Sequence, residues 1–259
     1  MKILVCVKQV MEPAGDISIR DDGKWLVEDD ALDYRLNYYD QFAMEQAMLL
    51  KEAFDGITID AVSVGPAGIE PTLRHALALG ADNAIHIKTM DNGFQPADIT
   101  GRLIAEYVSA HPCDMILTGV MSEDAMQSLT GPMIAAHCNI PCATAATAMT
   151  LNPADKTADV VCELEGGLSE QVRLTLPTLL SVQSGINQPR YASLSNRLRA
   201  KSQALEVIDK TGDAQKIAGT QETIRVFVPG KTGQGEFLEG TIGEKADALV
   251  RRLHERSII

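Results

Sequence analysis

The chain has 259 residues, with 23 Lys and Arg against 35 Asp and Glu, a net charge of -12 and 45% hydrophobic positions. That is enough apolar material for one large domain, or a domain with an appendage, and it excludes a mainly disordered chain. It also argues against a general nucleic-acid binder, because phosphate affinity rests on clustered Lys and Arg and no such stripe is present. The five cysteines (Cys6, Cys113, Cys138, Cys142 and Cys162) are odd in number and scattered. They read as reduced core thiols of a cytoplasmic protein. No apolar run approaches the length of a membrane span, and the start of the chain is strand-like rather than a signal sequence.

Residues 2–7 are a continuous apolar run suited to a strand buried on both faces. After a polar stretch, Asp40 is placed to cap a helix on which Ala43, Ala47, Leu50 and Phe54 recur at helical spacing, with Met44 and Met48 widening the stripe. Residues 58–64 make a second strand, closed by Gly65, Pro66, Ala67 and Gly68. A helix from about Glu70 turns Leu73, Leu77 and Ala78 inward and stops at Gly80, a left-handed cap. Residues 84–87 are a short strand, 99–110 a helix ended by Pro112, and 114–118 an apolar strand that stops at Gly119. The alternation predicts a parallel sheet with helices on both faces.

Past Pro141 the pattern changes. Segments 144–151, 158–164 and 171–176 follow one another with only turn residues between them, first Asn152, Pro153, Ala154 and Asp155, then Gly166 and Gly167. They predict an antiparallel meander attached to the sheet, with 179–183 as one more buried strand. The expected fold class is therefore α/β, a mostly parallel doubly wound sheet with an added antiparallel hairpin and a C-terminal arm. The expected division is an α/β domain over 1–189 and an arm over 190–259, where Ala246, Leu249, Val250 and Leu253 give a helix with one apolar stripe. A stretch with so little core of its own is expected to lean on a second subunit.

Ligands of such sheets bind beyond the carboxyl ends of the strands, where strand order reverses. Three strand ends here deliver small or flexible residues: Cys6-Val7-Lys8, Val64-Gly65-Pro66, and Gly119 opening a long loop to Gly131. Main-chain N–H groups can approach a phosphate there, and the helix after Thr130 and Gly131 would aim its positive end at it. The same loop also reads as nothing more than a long connection, and the residues alone leave both readings open.

Catalytic patterns are weak. There is no Walker A loop, no G-x-G-x-x-G after the first strand, no G-x-S-x-G elbow and no H-E-x-x-H. His137, Cys138 and Cys142 straddle a helix end and Pro141 without a second ligand pair, which reads as core packing. Glu163, Glu165 and Glu170 sit on or beside a hairpin turn and read as solvated rather than as paired acids.

The segment 161–181, VCELEGGLSEQVRLTLPTLLS, resembles the signature of electron transfer flavoprotein β subunits, with Cys162 where that signature usually has Lys or Arg. Further blocks resemble the same family: 5–9 (VCVKQ), 36–40 (LNYYD) followed by 45–47 (EQA), 62–66 (VSVGP), 77–82 (LALGAD) and 185–194 (GINQPRYASL). The Leu-Asn-x-x-Asp and Gly-Ile-Asn-x-Pro-Arg-Tyr-Ala-Ser-Leu forms are similar to the bacterial type that serves trimethylamine dehydrogenase.

The resemblance implies a heterodimer. An α subunit would hold most of the redox FAD, while this chain would bury a structural AMP and wrap its arm around the partner. It would be an electron-carrier subunit and not an enzyme, taking electrons from a flavin-dependent dehydrogenase. Carried over by position, the AMP site falls on Cys6, on Asn37, Tyr38, Tyr39 and Asp40, on Val64, and on Gly119, Val120, Met121, Ser122, Glu123, Asp124, Ala125, Met126, Gln127, Ser128, Leu129 and Thr130. Leu194 matches the leucine that relatives insert into an apolar pocket of the dehydrogenase. Its competing reading is a hydrophobic staple before a helix over 195–201.

Two other functions fit parts of the sequence. In electron-bifurcating relatives a second FAD takes the place of AMP, usually with an Asn-Pro-Tyr-Asp turn and a Gly-Asp-Thr in the loop. This chain has Asn37-Tyr38-Tyr39-Asp40 and Gln127-Ser128-Leu129-Thr130 instead. A stand-alone adenine-nucleotide enzyme on the same sheet would need a phosphate-cleaving constellation.

Overall fold

The computed structural model describes residues 1–12, 18–27, 33–90, 94–212, 221–230, 235 and 237–259. Parts of the expected arm, 213–220, 231–234 and 236, lie outside the described residues.

In chain order the strands are β1 (Lys2–Cys6), β2 (Gln9–Met11), β3 (Tyr34–Leu36), β4 (Thr58–Gly65), β5 (Asn83–Lys88), β6 (Met115–Gly119), β7 (Cys142–Asn152), β8 (Thr157–Glu163), β9 (Ser169–Thr175), β10 (Thr178–Val182) and β11 (Glu206–Asp209). The helices are α1 (Tyr38–Ala53), α2 (Glu70–Leu79), α3 (Ala97–Ala110), α4 (Thr130–Cys138), α5 (Leu194–Ser202) and α6 (Ile242–Glu255).

β1 runs through the middle of the molecule and splits its side chains between two cores. Ile3 and Val5 pack with Ala43, Met44 and Ala47 of α1, while Leu4 and Cys6 pack with Leu103 and Ile104 of α3 and Ile134 of α4. Successive strand residues point to opposite faces, so a strand covered on both sides has to be apolar at every position. Each fully buried side chain of this size contributes about 1.5–3 kcal/mol. α1 and α2 cover one face, and α3 and α4 the other.

The main sheet has nine strands in the order β11-β5-β4-β1-β6-β10-β7-β8-β9. Pairing is parallel from β11 through β7 and antiparallel for β7, β8 and β9. The chain leaves β1 for β4 on one side and later for β6 on the other. A crevice therefore opens above the end of β1, the switch point at which such sheets bind ligands.

Three features differ from the sequence expectation. α1 starts at Tyr38 with Asn37 at the cap position, so Asp40 lies in its first turn instead of capping it. The reason is that backbone N–H groups of Lys8 and Gly119 engage the Asp40 carboxylate from outside the helix. β2 and β3 form a separate antiparallel pair that the alternating pattern did not reveal. β11 adds a parallel edge strand beside β5.

The chain divides into two compact units, Met1–Val226 and Phe227–Ile259. α5 and β11 belong to the first. Arg74 of α2 donates to the carbonyl oxygens of Ala200, Lys201 and Gln203, tying the end of α5 to the domain. The second unit contains α6, closed at its start by a capping box between Thr241 and Glu244. Leu249 and Val250 of α6 remain exposed. Among the described residues no helix is long and apolar enough to cross a membrane.

Candidate functional site

The carboxyl ends of β1, β4 and β6 open into a cavity of about 620 Å³, lined by Cys6, Val64, Gly65, Thr118, Gly119 and the loop that leads into α4. Its construction begins at the N-terminus of α1. The side chain of buried Asn37 does not cap its own helix. It reaches across to the loop, where Nδ2 donates to the Met121 carbonyl at 2.9 Å and Oδ1 accepts from the Glu123 N–H at 3.1 Å. Glu123 reciprocates: Oε2 accepts from the Tyr38 N–H at 3.0 Å, and Oε1 accepts from Arg35 at 2.9 Å. A loop carboxylate thus serves an unpaired donor of the first turn of α1 and complements its positive end.

Asp40 is the second brace. Oδ2 accepts from the Lys8 N–H at 2.7 Å and Oδ1 from the Gly119 N–H at 3.1 Å. Burial pushes its carboxyl up to about 7, opposed by the hydrogen bonds from Asn37, Lys8 and Gly119. Burial, with Asp40 nearby, also pushes the Cys6 thiol well up.

The loop beyond Gly119 is held by charge. Lys8 Nζ meets both Asp124 oxygens at 2.7 Å and Ser122 Oγ at 3.3 Å. Met126 and Ser128 are left-handed, with φ of 50° and 54°. Such backbone costs non-glycine residues about 1–2 kcal/mol each. The reversal of hand between Ser128 and the right-handed Leu129 is the kind of alternation that turns successive N–H groups to one side as an anion cradle.

α4 then begins at Thr130 with no side-chain cap on its first turn. Gly131 lets this turn close on the sheet, since a Cβ there would lie 2.8 Å from Thr118 Oγ1. That hydroxyl is buried, lines the cavity and has no hydrogen-bond partner among the described residues. A buried unpaired hydroxyl costs about 1–3 kcal/mol, a cost relieved by a polar ligand atom.

Of the residues expected from sequence, Cys6, Asn37, Asp40, Val64, Gly119, Val120, Met121, Ser122, Asp124, Ala125, Gln127, Ser128, Leu129 and Thr130 line the cavity. Tyr38, Tyr39, Glu123 and Met126 do not. Tyr38 meets the rings of Tyr39 and Phe42 edge-on, Tyr39 backs Gly119, Glu123 serves α1, and Met126 faces solvent. Lining residues missed from sequence include Gln9, Trp25, Phe94, Gln95 and Thr118. The rings of Trp25 and Phe94 lie 5.7 Å apart. The polar Thr118 in an apolar strand, just before the glycine that ends it, was a legible signal.

The arrangement can grip an anionic, partly apolar ligand. Among the described residues no histidine lines the cavity, Asp40 accepts from two backbone donors, and the ammonium beside Ser122 is bonded to both Asp124 oxygens. Among the described residues no group of three or more His, Cys, Asp or Glu is placed to hold a metal.

Away from the cavity, Leu194 is the first residue of α5 and is 74% exposed. The helix therefore begins one residue earlier than expected. An exposed side chain at this position is not a staple, which would sit before the cap and pack on the following turn.

The electron transfer flavoprotein domain family matches residues 24–213 of the chain. Full-length similarity is also found. The chain is 35% identical to the electron transfer flavoprotein subunit beta of Methylophilus methylotrophus, with 98% of each chain covered. It is 33% identical to the Bacillus subtilis subunit, covering 99% of each. Identity to the Bos taurus subunit is 34%, covering 98% of this chain and 97% of that one. The chain belongs to the electron transfer flavoprotein family and is related along its whole length to the β subunits.

Proposed function

We propose that this chain is the architectural half of a cytoplasmic heterodimeric electron carrier, with AMP held in the crevice and the redox FAD held mainly by an α subunit. The observation that supports it most is the unpaired Thr118 hydroxyl facing a cavity bordered by the uncapped start of α4. The residues fit an adenylate. The N–H groups of the α4 first turn and the left-handed segment around Ser128 would hold phosphate, and Thr118 a further polar atom. AMP supplies no redox chemistry. Its role would be to complete a polar, strained loop that the protein leaves unsatisfied.

The electrons would enter from a flavin-dependent dehydrogenase docked at Leu194 and reside on the partner's flavin. This chain would serve as a rigid base and not as an enzyme. Its net charge of -12 would make association salt-sensitive. One observation favours a second reading, an electron-bifurcating protein with a second FAD in place of AMP: the cavity continues to Trp25, Met90 and Phe94.

Expression with and without an α subunit tests the subunit reading. The chain is expected to be recovered as a stable FAD-containing heterodimer only when the α subunit is present. A well-behaved monomer that turns over ATP would overturn it in favour of a stand-alone nucleotide enzyme.

A further inference from the structure

Residues 18–27 form a small hairpin that belongs to neither sheet. Ile19 bridges Leu26 in antiparallel fashion, while the Arg20 N–H donates to the Trp25 carbonyl and the Val27 N–H to the Ser18 carbonyl, both at 2.8 Å. Gly23, with φ of 66°, closes the turn and donates its N–H to the Arg20 carbonyl. One side of the hairpin is part of the site. Trp25 and Leu26 line the cavity while remaining partly exposed, and the Trp25 ring lies 5.7 Å from that of Phe94, on the segment leading into α3. Asp21, Asp22, Lys24 and Val27 are exposed. A two-stranded hairpin is marginally stable at best on its own, so its position depends on what grips it from outside.

That grip comes from a segment 198 residues further along the chain. Lys24 Nζ meets Glu222 Oε1 at 2.9 Å, and the Val226 N–H donates to the Gly23 carbonyl at 2.9 Å. Segment 222–226 is thereby fastened at both of its ends to the turn of the hairpin. Val226 also lines the cavity and is partly buried, so the fastening point and the site share a residue. Val226 is the last residue of the first compact unit, and the chain runs on from it into the second. An exposed ion pair and one hydrogen bond make a weak attachment, of the kind that opens locally while the rest of the fold stays intact.

We propose that the hairpin is a strap across the adenylate cavity, buckled by Glu222 and Val226, and that bound nucleotide leaves after segment 222–226 has let go of it. The inference rests on the adenylate reading of the cavity. Trp25 and Leu26 supply wall to that cavity from an element whose turn is held by a distant segment, so undoing the two attachments loosens the wall. The main grip on the ligand, at the start of α4 and around Ser128, lies elsewhere. The buckle therefore sets how fast nucleotide exchanges and not which nucleotide is chosen.

The test uses the assembled heterodimer loaded with radiolabelled AMP, diluted into excess unlabelled AMP and sampled over time. Glu222→Lys is expected to speed release about two- to fivefold at low salt, the range of an exposed ion pair. The added positive charge by itself would slow the loss of an anion, so faster release reports the broken buckle. Lys24→Glu combined with Glu222→Lys restores the pair and is expected to return release to the wild-type rate. Val226→Pro deletes the N–H donor and is expected to speed release about threefold or more. FAD content and heterodimer mass stay unchanged in the charge variants. Wild-type release from both Glu222→Lys and Val226→Pro would overturn the strap and leave the AMP site standing. A wild-type heterodimer that retains no labelled AMP would overturn the adenylate reading and the strap with it. Faster release that the charge swap does not correct, or that comes with loss of FAD or of the α subunit, would assign segment 222–226 to folding or subunit assembly and would also overturn the proposal.

Discussion

Gly119 donates its N–H to Asp40 Oδ1 at 3.1 Å, and a Cβ on residue 119 would lie 2.5 Å from that same oxygen and 2.7 Å from Tyr39 Cβ. The end of β6 and the start of α1 therefore meet at a distance that admits no side chain. Gly119→Ala is expected to push the two elements apart, costing about 1–3 kcal/mol. The loop that follows would be displaced with it. Thermal unfolding and nucleotide extraction of the heterodimer should show a lower transition and depleted AMP. A variant as stable and as loaded as wild type would contradict this packing.

Thr118→Val separates ligand binding from folding. The substitution keeps the shape and deletes a hydroxyl that has no partner among the described residues. Stability of the nucleotide-free protein is expected to hold or rise, while AMP affinity falls about fivefold or more from loss of one hydrogen bond. Equilibrium dialysis against AMP checks it. Unchanged affinity would mean that the hydroxyl meets no ligand atom.

Asp40 predicts a pH dependence of definite sign. Its folded carboxyl titrates near 7 against 3.8 ordinarily, because burial opposes the charge. A folded value above the unfolded one means that its contribution is most favourable below about 4 and is lost as pH rises toward 7. Difference infrared spectra of wild type and Asp40→Asn should show a protonated carboxyl band at pH 5.5 that has gone by pH 8.5. A carboxylate already ionised at pH 5.5 would mean that the Lys8 and Gly119 donors outweigh burial.

Leu194→Ala is expected to slow electron uptake from the donor dehydrogenase about tenfold or more, the scale of an exposed apolar anchor. Flavin content should be unchanged. Stopped-flow kinetics together with the flavin spectrum checks it, and loss of flavin instead would assign Leu194 to subunit assembly.

Much of the fold was legible because the central strands, covered on both faces, are mostly apolar. The unbroken apolar run at β1 and the Gly119 stop at β6 follow from strands covered on both faces. β11 escaped notice because it is a short edge strand with exposed Glu206 and Val207, so little apolar patterning marks it. β2 and β3 are three residues each and pair across a long intervening stretch. In the site, the positions of Cys6, Val64 and Gly119 followed from strand ends and the resemblance together. The supporting work of Glu123 on α1 did not, since it joins residues far apart in sequence whose pairing exists only after the sheet has assembled. The Trp25 and Phe94 end of the cavity was equally hidden, because neither residue lies at a strand end.

The most direct test is a count of nucleotides in the purified heterodimer, by acid extraction followed by chromatography and mass spectrometry. One AMP and one FAD per heterodimer is the expected result. Two FAD without AMP, or a crevice that yields no nucleotide at all, would contradict the account.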